Sequence, residues 1–154
     1  MLQQVEIYTD GAARGNPGPG GLGVILRANG KEKRISIGFK RTTNNRMELM
    51  AVIVGLESLK KDGLSVIIYS DSKYVVDSIS KGWVFKWNTK PNFDNKKNPD
   101  LWKRYLLLHA RHHIRFVWVK GHADNHFNNL CDELATVAAD HGPHYIDHGF
   151  VDNH

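Results

Sequence analysis

Hydrophobic and polar positions alternate from Val5 to Thr9, which predicts a strand, and Asp10-Gly11 marks its end as a turn. Residues 15–21, Gly-Asn-Pro-Gly-Pro-Gly-Gly, read as turn and loop. Leu22 to Arg27 and Lys33 to Phe39 are then two further strands joined around Asn29-Gly30, a pair that accepts the positive φ of a hairpin turn. From Asn45 the period lengthens. Met47, Met50, Ala51 and Val54 recur at helical spacing until Asp62-Gly63, with Glu48 in the first turn. Ser65 to Tyr69 is a short apolar run suited to a buried strand, and Ser70-Asp71-Ser72 leads from it into a helix that ends near Gly82. A short helix around Trp83 to Trp87, a loop, and a helix from Pro99 to about His112 follow. Ile114 to Val119 is the last strand. Residues 120–128 form a polar loop, and Asn128 or Asn129 can cap a final helix to about Asp140, placing Asp132 about one turn in.

This order of elements predicts an α/β domain with a five-stranded mixed sheet, three strands antiparallel and two added later, flanked by helices. Its extent is read as residues 1–142, leaving residues 143–154, with three histidines, as a tail. A chain of 154 residues is long enough for one such core and short for two. Hydrophobic residues at 41% and charged residues at 24% are values of a soluble globular protein. No apolar run approaches the ~20 residues of a membrane span, and Met1-Leu2-Gln3-Gln4 carries no export signal. The expectation is a monomer in the cytoplasm. Cys131 has no second cysteine to pair with and falls in a helical pattern, as a small packing residue does.

Charge sharpens the picture through its location. Residues 81–104 hold seven cations and two anions, a surplus equal to the +5 of the whole chain. Trp83, Phe85, Trp87 and Phe93 are interleaved with the lysines, as on a surface that follows a phosphate backbone; a solvated helical face is the plainer reading.

Four carboxylates carry the chemistry. Singly, each has an ordinary explanation: Asp10 in an Asp-Gly turn, Asp71 at a helix start, Glu48 closing a capping box with Asn45, Asp132 near the positive end of its helix. Jointly, two of them end apolar strands of central character and two lie near helix starts, so all four can converge at one end of the sheet. Such a cluster repels itself unless a cation neutralises it, and an all-oxygen set suits Mg²⁺ or Mn²⁺.

Several motifs, in order, resemble the bacterial ribonuclease HI family: Tyr8-Thr9-Asp10-Gly11, the glycine-rich stretch at residues 15–23, Thr42-Thr43-Asn44-Asn45-Arg46-Met47-Glu48-Leu49, Ser70-Asp71-Ser72, Val119-Lys120-Gly121-His122-Ala123 and Cys131-Asp132-Glu133-Leu134-Ala135. The resemblance runs from about Gln4 to Ala139. It implies an RNase H-like fold and an endoribonuclease that cuts the RNA strand of RNA–DNA hybrids, leaving 5′-phosphate and 3′-hydroxyl ends. It further implies that Asp10, Glu48, Asp71 and Asp132 hold two Mg²⁺ ions, with Mn²⁺ as a possible substitute, and that His122 assists proton transfer or product release. Asn16, Thr43, Asn44 and Asn45 would contact the hybrid. A basic protrusion at about 81–98, with Trp83, Lys86, Trp87, Lys90, Lys96 and Lys97, would hold the DNA strand, and Lys73, standing where a glutamine is common, would lie beside the substrate. The rivals are a DNA-cutting nuclease of the same fold and a non-catalytic hybrid-binding module; a divalent-metal requirement and a duplex DNA cleavage assay separate them.

Overall fold

The computed structural model describes residues 3–87, 97–120 and 125–150 of the chain. Strands β1 (Gln4–Ala13), β2 (Gly18–Ala28) and β3 (Lys31–Thr42) form an antiparallel meander. Helix α1 (Asn44–Glu57) follows, then strand β4 (Ser65–Ser70), helices α2 (Lys73–Ser80), α3 (Trp83–Trp87) and α4 (Pro99–His109), strand β5 (His113–Trp118), helix α5 (His126–His141) and the two-residue strand β6 (His144–Tyr145). The sheet order is β5-β4-β1-β2-β3-β6, with β4 parallel to β1 and β5 parallel to β4. The mixed sheet flanked by helices is as expected, with one strand more than five.

Strand alternation sorts the two faces. Val5 and Ile7 of β1 with Leu22, Val24 and Leu26 of β2 pack against α1, which packs in turn on α4, and Leu49, Ile53, Trp102 and Tyr105 of the two helices complete the main core. Tyr8 and Ile25, of opposite parity, face α5 and meet Cys131, which is buried and unoxidised. Here the glycine-rich stretch departs from the expectation of turn and loop: Gly18 to Gly21 already belong to β2. The reason is close approach, since a Cβ at Gly21 or Gly23 would overlap the backbone of α5 at Ala135 or Cys131. Glycines let the helix lie flush on the sheet at the cost of strand propensity.

The sixth strand comes from the segment set apart as a tail. β6 pairs with β3 in parallel, Gly38 with His144 and Phe39 with Tyr145. Beyond it Asp147 is buried and receives hydrogen bonds from Thr42 Oγ1 at 2.7 Å, Arg46 Nε at 2.8 Å and Arg46 Nη2 at 3.0 Å. Arg46 also donates to Asp100 at 2.9 and 2.7 Å and to Asn98 Oδ1 at 3.3 Å. One buried guanidinium thus ties the chain end to the first turn of α1 and the start of α4. Hydrophobic periodicity carries no trace of this, because the tie is made by polar contacts between residues 101 and 105 positions apart.

Removing Asp147 leaves a buried, undercompensated cation, so Asp147→Ala is expected to destabilise the fold by about 3–5 kcal/mol. Asp100→Ala should cost clearly less, because the Asp100 side chain is 40% exposed. Urea denaturation of both variants checks this; equal losses, or less than about 1 kcal/mol for Asp147→Ala, would contradict it.

Candidate metal and nucleic-acid site

Parallel pairing of β1 with β4 ends at Tyr8 opposite Tyr69. Asp10 and Asp71 each stand two residues further along their chains, so they emerge side by side where the two strands part. Asp10 does not close its strand as expected: β1 runs on to Ala13, held by antiparallel pairing with β2 alone. Gly11 has a role other than turning. A Cβ there would overlap the backbone of Met47 and Glu48, so the glycine admits α1 against β1 and lets Glu48 reach Asp10. Helix α1 is capped by Thr43, whose side chain accepts from Arg46 N at 3.3 Å, which puts Glu48 in the second turn rather than the first and outside any capping box.

Asp10, Glu48 and Asp71 bring one carboxylate oxygen each within 4.8 Å of one another. Asp10 is buried, accepts a hydrogen bond from Gly11 N at 2.8 Å, and has its pKa pushed up to about 7, by burial first and then by the charges of Asp71 and Asp132 against the lowering effect of its hydrogen bonds to Glu48 and Gly11. Glu48 is raised well above the ordinary carboxylate range by burial and by Asp10 and Asp71, and its buried Oε1 has no hydrogen-bond partner among the described residues. A dense set of carboxylate oxygens, held close at the expense of raised proton affinity, fits a hard divalent cation.

Asp132 stands outside that group of three, yet near enough for its charge to raise the pKa of Asp10. Helix α5 starts earlier than expected: Asn125 is its cap, accepting from Phe127 N and Asn128 N at 3.0 and 3.2 Å, and Asp132 lies in the second turn. Asn128, expected as a cap, sits on the buried face of α5 with Cys131 and Ala135. Its Nδ2 donates to the carbonyls of Thr9 at 3.1 Å and Tyr69 at 3.2 Å, stapling β1 to β4 just before the two aspartates. The sequence signal was its helical register with Cys131, which a cap reading overlooks.

The expected nucleic-acid contacts are partly gathered at the same end. Asn16 Oδ1 accepts from Asn44 N at 3.1 Å and Asn44 Oδ1 accepts from Ala13 N at 2.7 Å, so the loops before β2 and before α1 form one surface, with Asn45 exposed on it and Thr43 beside it. Lys73 opens α2, two residues from Asp71. On α3, Trp83 and Lys86 are exposed, while Trp87 meets Trp102 edge-on at 6.3 Å between ring centres. Lys97 is exposed. Lys90, Lys96 and His122 lie outside the described residues. No described helix is long and apolar enough to cross a membrane.

A mixed sheet that splays to present carboxylates from two adjacent strands and a crossing helix defines an α/β protein with an acidic, metal-type centre. The family model for RNase H matches residues 2–140. A ribonuclease H of Desulforamulus reducens is 53% identical over 142 residues, 90% of this chain and 89% of the relative. One from Escherichia coli is 52% identical over 143 residues, covering 90% and 91%, and a ribonuclease HI of Synechocystis is 48% identical over 151 residues, covering 95% and 94%. Among solved structures, LC9-RNase H1, a type 1 RNase H with the type 2 active-site motif, matches with a TM-score of 0.79 at 29% identity over 99% of this chain and 79% of that one. LC11-RNase H1 in complex with an RNA/DNA hybrid matches with a TM-score of 0.67 at 28% identity, covering 88% and 96%. The chain belongs to the RNase H family.

The raised carboxylates set a pH dependence for the metal-free protein. A carboxyl whose folded pKa exceeds its unfolded value of ~4 holds its proton more tightly in the folded state. The fold is therefore favoured below that value and loses this contribution as pH climbs from ~4 through about 7 for Asp10. Asp10→Asn should melt higher than wild type at pH 7.5 in EDTA, with the difference shrinking toward pH 4. Melting curves across that range check it; an Asn variant that is less stable at pH 7.5 would contradict it.

Proposed function

We propose that the chain is an endoribonuclease that hydrolyses the RNA strand of RNA–DNA hybrids, leaving 5′-phosphate and 3′-hydroxyl ends, with two Mg²⁺ ions per active site. The observation that carries this reading is the trio of carboxylates with one oxygen each within 4.8 Å, among them a Glu48 whose buried Oε1 has no hydrogen-bond partner among the described residues, in a chain of the RNase H family. The hybrid substrate is supported by the relatives' shared name and by the LC11-RNase H1 complex.

Asp10, Glu48 and Asp71, with Asp132 completing the set, would hold the ions. Bound there, divalent ions supply Lewis acidity toward phosphate oxygens and acidify water toward neutral pH. Around them the chain's own groups do the rest. The paired strand β1 fixes Asp10 and the end of β4 fixes Asp71, so the carboxylates need no reorganisation when the substrate arrives. Asn16, Thr43, Asn44 and Asn45 offer short amide and hydroxyl groups to the 2′-hydroxyls that distinguish RNA from DNA. His122 would carry a proton to the leaving 3′-oxygen. Trp83, Lys86, Trp87, Lys90, Lys96 and Lys97 would bind the DNA strand by charge and by packing, without reading sequence. We read the chain as a monomer whose working place is the cytoplasm.

Labelled hybrid, RNA duplex and DNA duplex incubated with and without Mg²⁺ test the reading. Cleavage confined to the RNA strand of the hybrid, dependent on Mg²⁺ and abolished by Asp71→Asn, is expected. Metal-independent cleavage, or cutting of duplex DNA, would overturn it.

A further inference from the structure

Lys73 occupies the first position of α2, where helix dipoles disfavour a cation by ~0.3–1 kcal/mol. Its side chain has a specific resting place: the ammonium lies 4.4 Å from the centre of the Trp118 ring. Trp118 is the last residue of β5, register partner of Ser70, and remains 41% exposed. Its indole N–H donates to the main-chain carbonyl of Asp71 at 3.2 Å. The corner is already secured without it, by Val119 N on the Ser70 carbonyl at 2.9 Å, Ser72 N on Ser70 Oγ at 3.1 Å and Val75 N on Ser72 Oγ at 3.2 Å. Neither the main core nor the carboxylate trio uses this large exposed aromatic. What it does is fix a cation beside Asp71.

Resting on the hybrid reading above, we infer that Trp118 is a positioning residue for the substrate: moored to the Asp71 carbonyl, its ring holds the Lys73 ammonium at the lip of the carboxylate cluster, ready to take an RNA-strand phosphate adjoining the one that is cut. The physical gain is preorganisation. A free lysine loses up to ~2 kcal/mol of rotamer freedom when it grips a phosphate, and an aromatic face that already confines the ammonium lowers that loss. A cation fixed here also offsets the repulsion that Asp10, Glu48 and Asp71 exert on an approaching phosphodiester.

The test is a binding cycle. Anisotropy of a labelled RNA–DNA hybrid is followed in EDTA over a salt series for wild type, Lys73→Ala, Trp118→Leu, the double variant and Trp118→Phe, with KM and kcat measured in Mg²⁺. Lys73→Ala and Trp118→Leu should each weaken binding by roughly three- to tenfold and flatten the log–log salt slope by up to ~0.9. Their effects should not multiply in the double variant, and the loss should fall on KM more than on kcat. Trp118→Phe keeps an aromatic face but loses the N–H that moors it, so its slope should fall between those of wild type and Trp118→Leu. Trp118→Met provides the same comparison should Trp118→Leu fail to fold. Multiplying effects, or a wild-type slope in the ring-free variant, would overturn the inference while leaving the hybrid reading intact. A wild-type chain that does not prefer hybrid to duplex DNA would overturn the hybrid reading and this inference with it.

Discussion

Mutual repulsion of Asp10, Glu48 and Asp71, held within 4.8 Å of one another, is the constraint around which the rest of the structure is arranged. Left to themselves three carboxylates would separate or protonate, and burial worsens both tendencies. The fold prevents separation with main-chain devices. The parallel pairing of β1 and β4 fixes the spacing of Asp10 and Asp71, Asn128 staples the two strands just before they part, and Gly11 lets α1 press close enough to deliver Glu48. Protonation remains, and the upward shifts of Asp10 and Glu48 record it. A divalent cation removes the cause of both.

The same helix that delivers Glu48 is anchored from behind. Arg46, two residues away, is buried among Asp147, Asp100 and Asn98, so the first turns of α1 are held from the chain end and from the start of α4 at once. Thr43 caps that helix while Asn44 bridges to Asn16 and Ala13, so the polar loops of the substrate surface and the metal-ligand helix share one rigid origin. Precision at the cluster and shape at the substrate surface are therefore mechanically the same property.

Much of this was legible in the sequence, for reasons that differ by element. Alternation marks β1, helical spacing marks α1 and a short continuous apolar run marks β4, and such local patterns are enough to find these elements even where, as in β2, β4 and α1, burial extends beyond one face. Asp10 and Asp71 could be placed side by side because both follow apolar runs of central-strand character, although β1 carries on past Asp10 to Ala13. Signals that depend on distant partners were not readable. Gly21 looks like loop until α5 is known to lie on it, and Asp147 looks like tail until Arg46 is known to be buried beneath it. Asn128 reads as a helix cap because caps are local, whereas its bonds to Thr9 and Tyr69 span 119 and 59 residues. Trp118 shows the same limit, since nothing in its neighbourhood along the chain points to Lys73 or to the Asp71 carbonyl.

The fold gathers these carboxylates at the cost of raised proton affinity, and a divalent ion relieves it. Calorimetric titration of the metal-free protein with Mg²⁺ at pH 7, repeated in buffers of different ionisation enthalpy, tests this most directly, because a ligand that displaces protons gives a binding heat that depends on the buffer. The account predicts saturable Mg²⁺ binding with net proton release, the release diminished in Asp10→Asn. Binding with the same heat in every buffer, or no Mg²⁺ binding at all by the intact cluster, would contradict it.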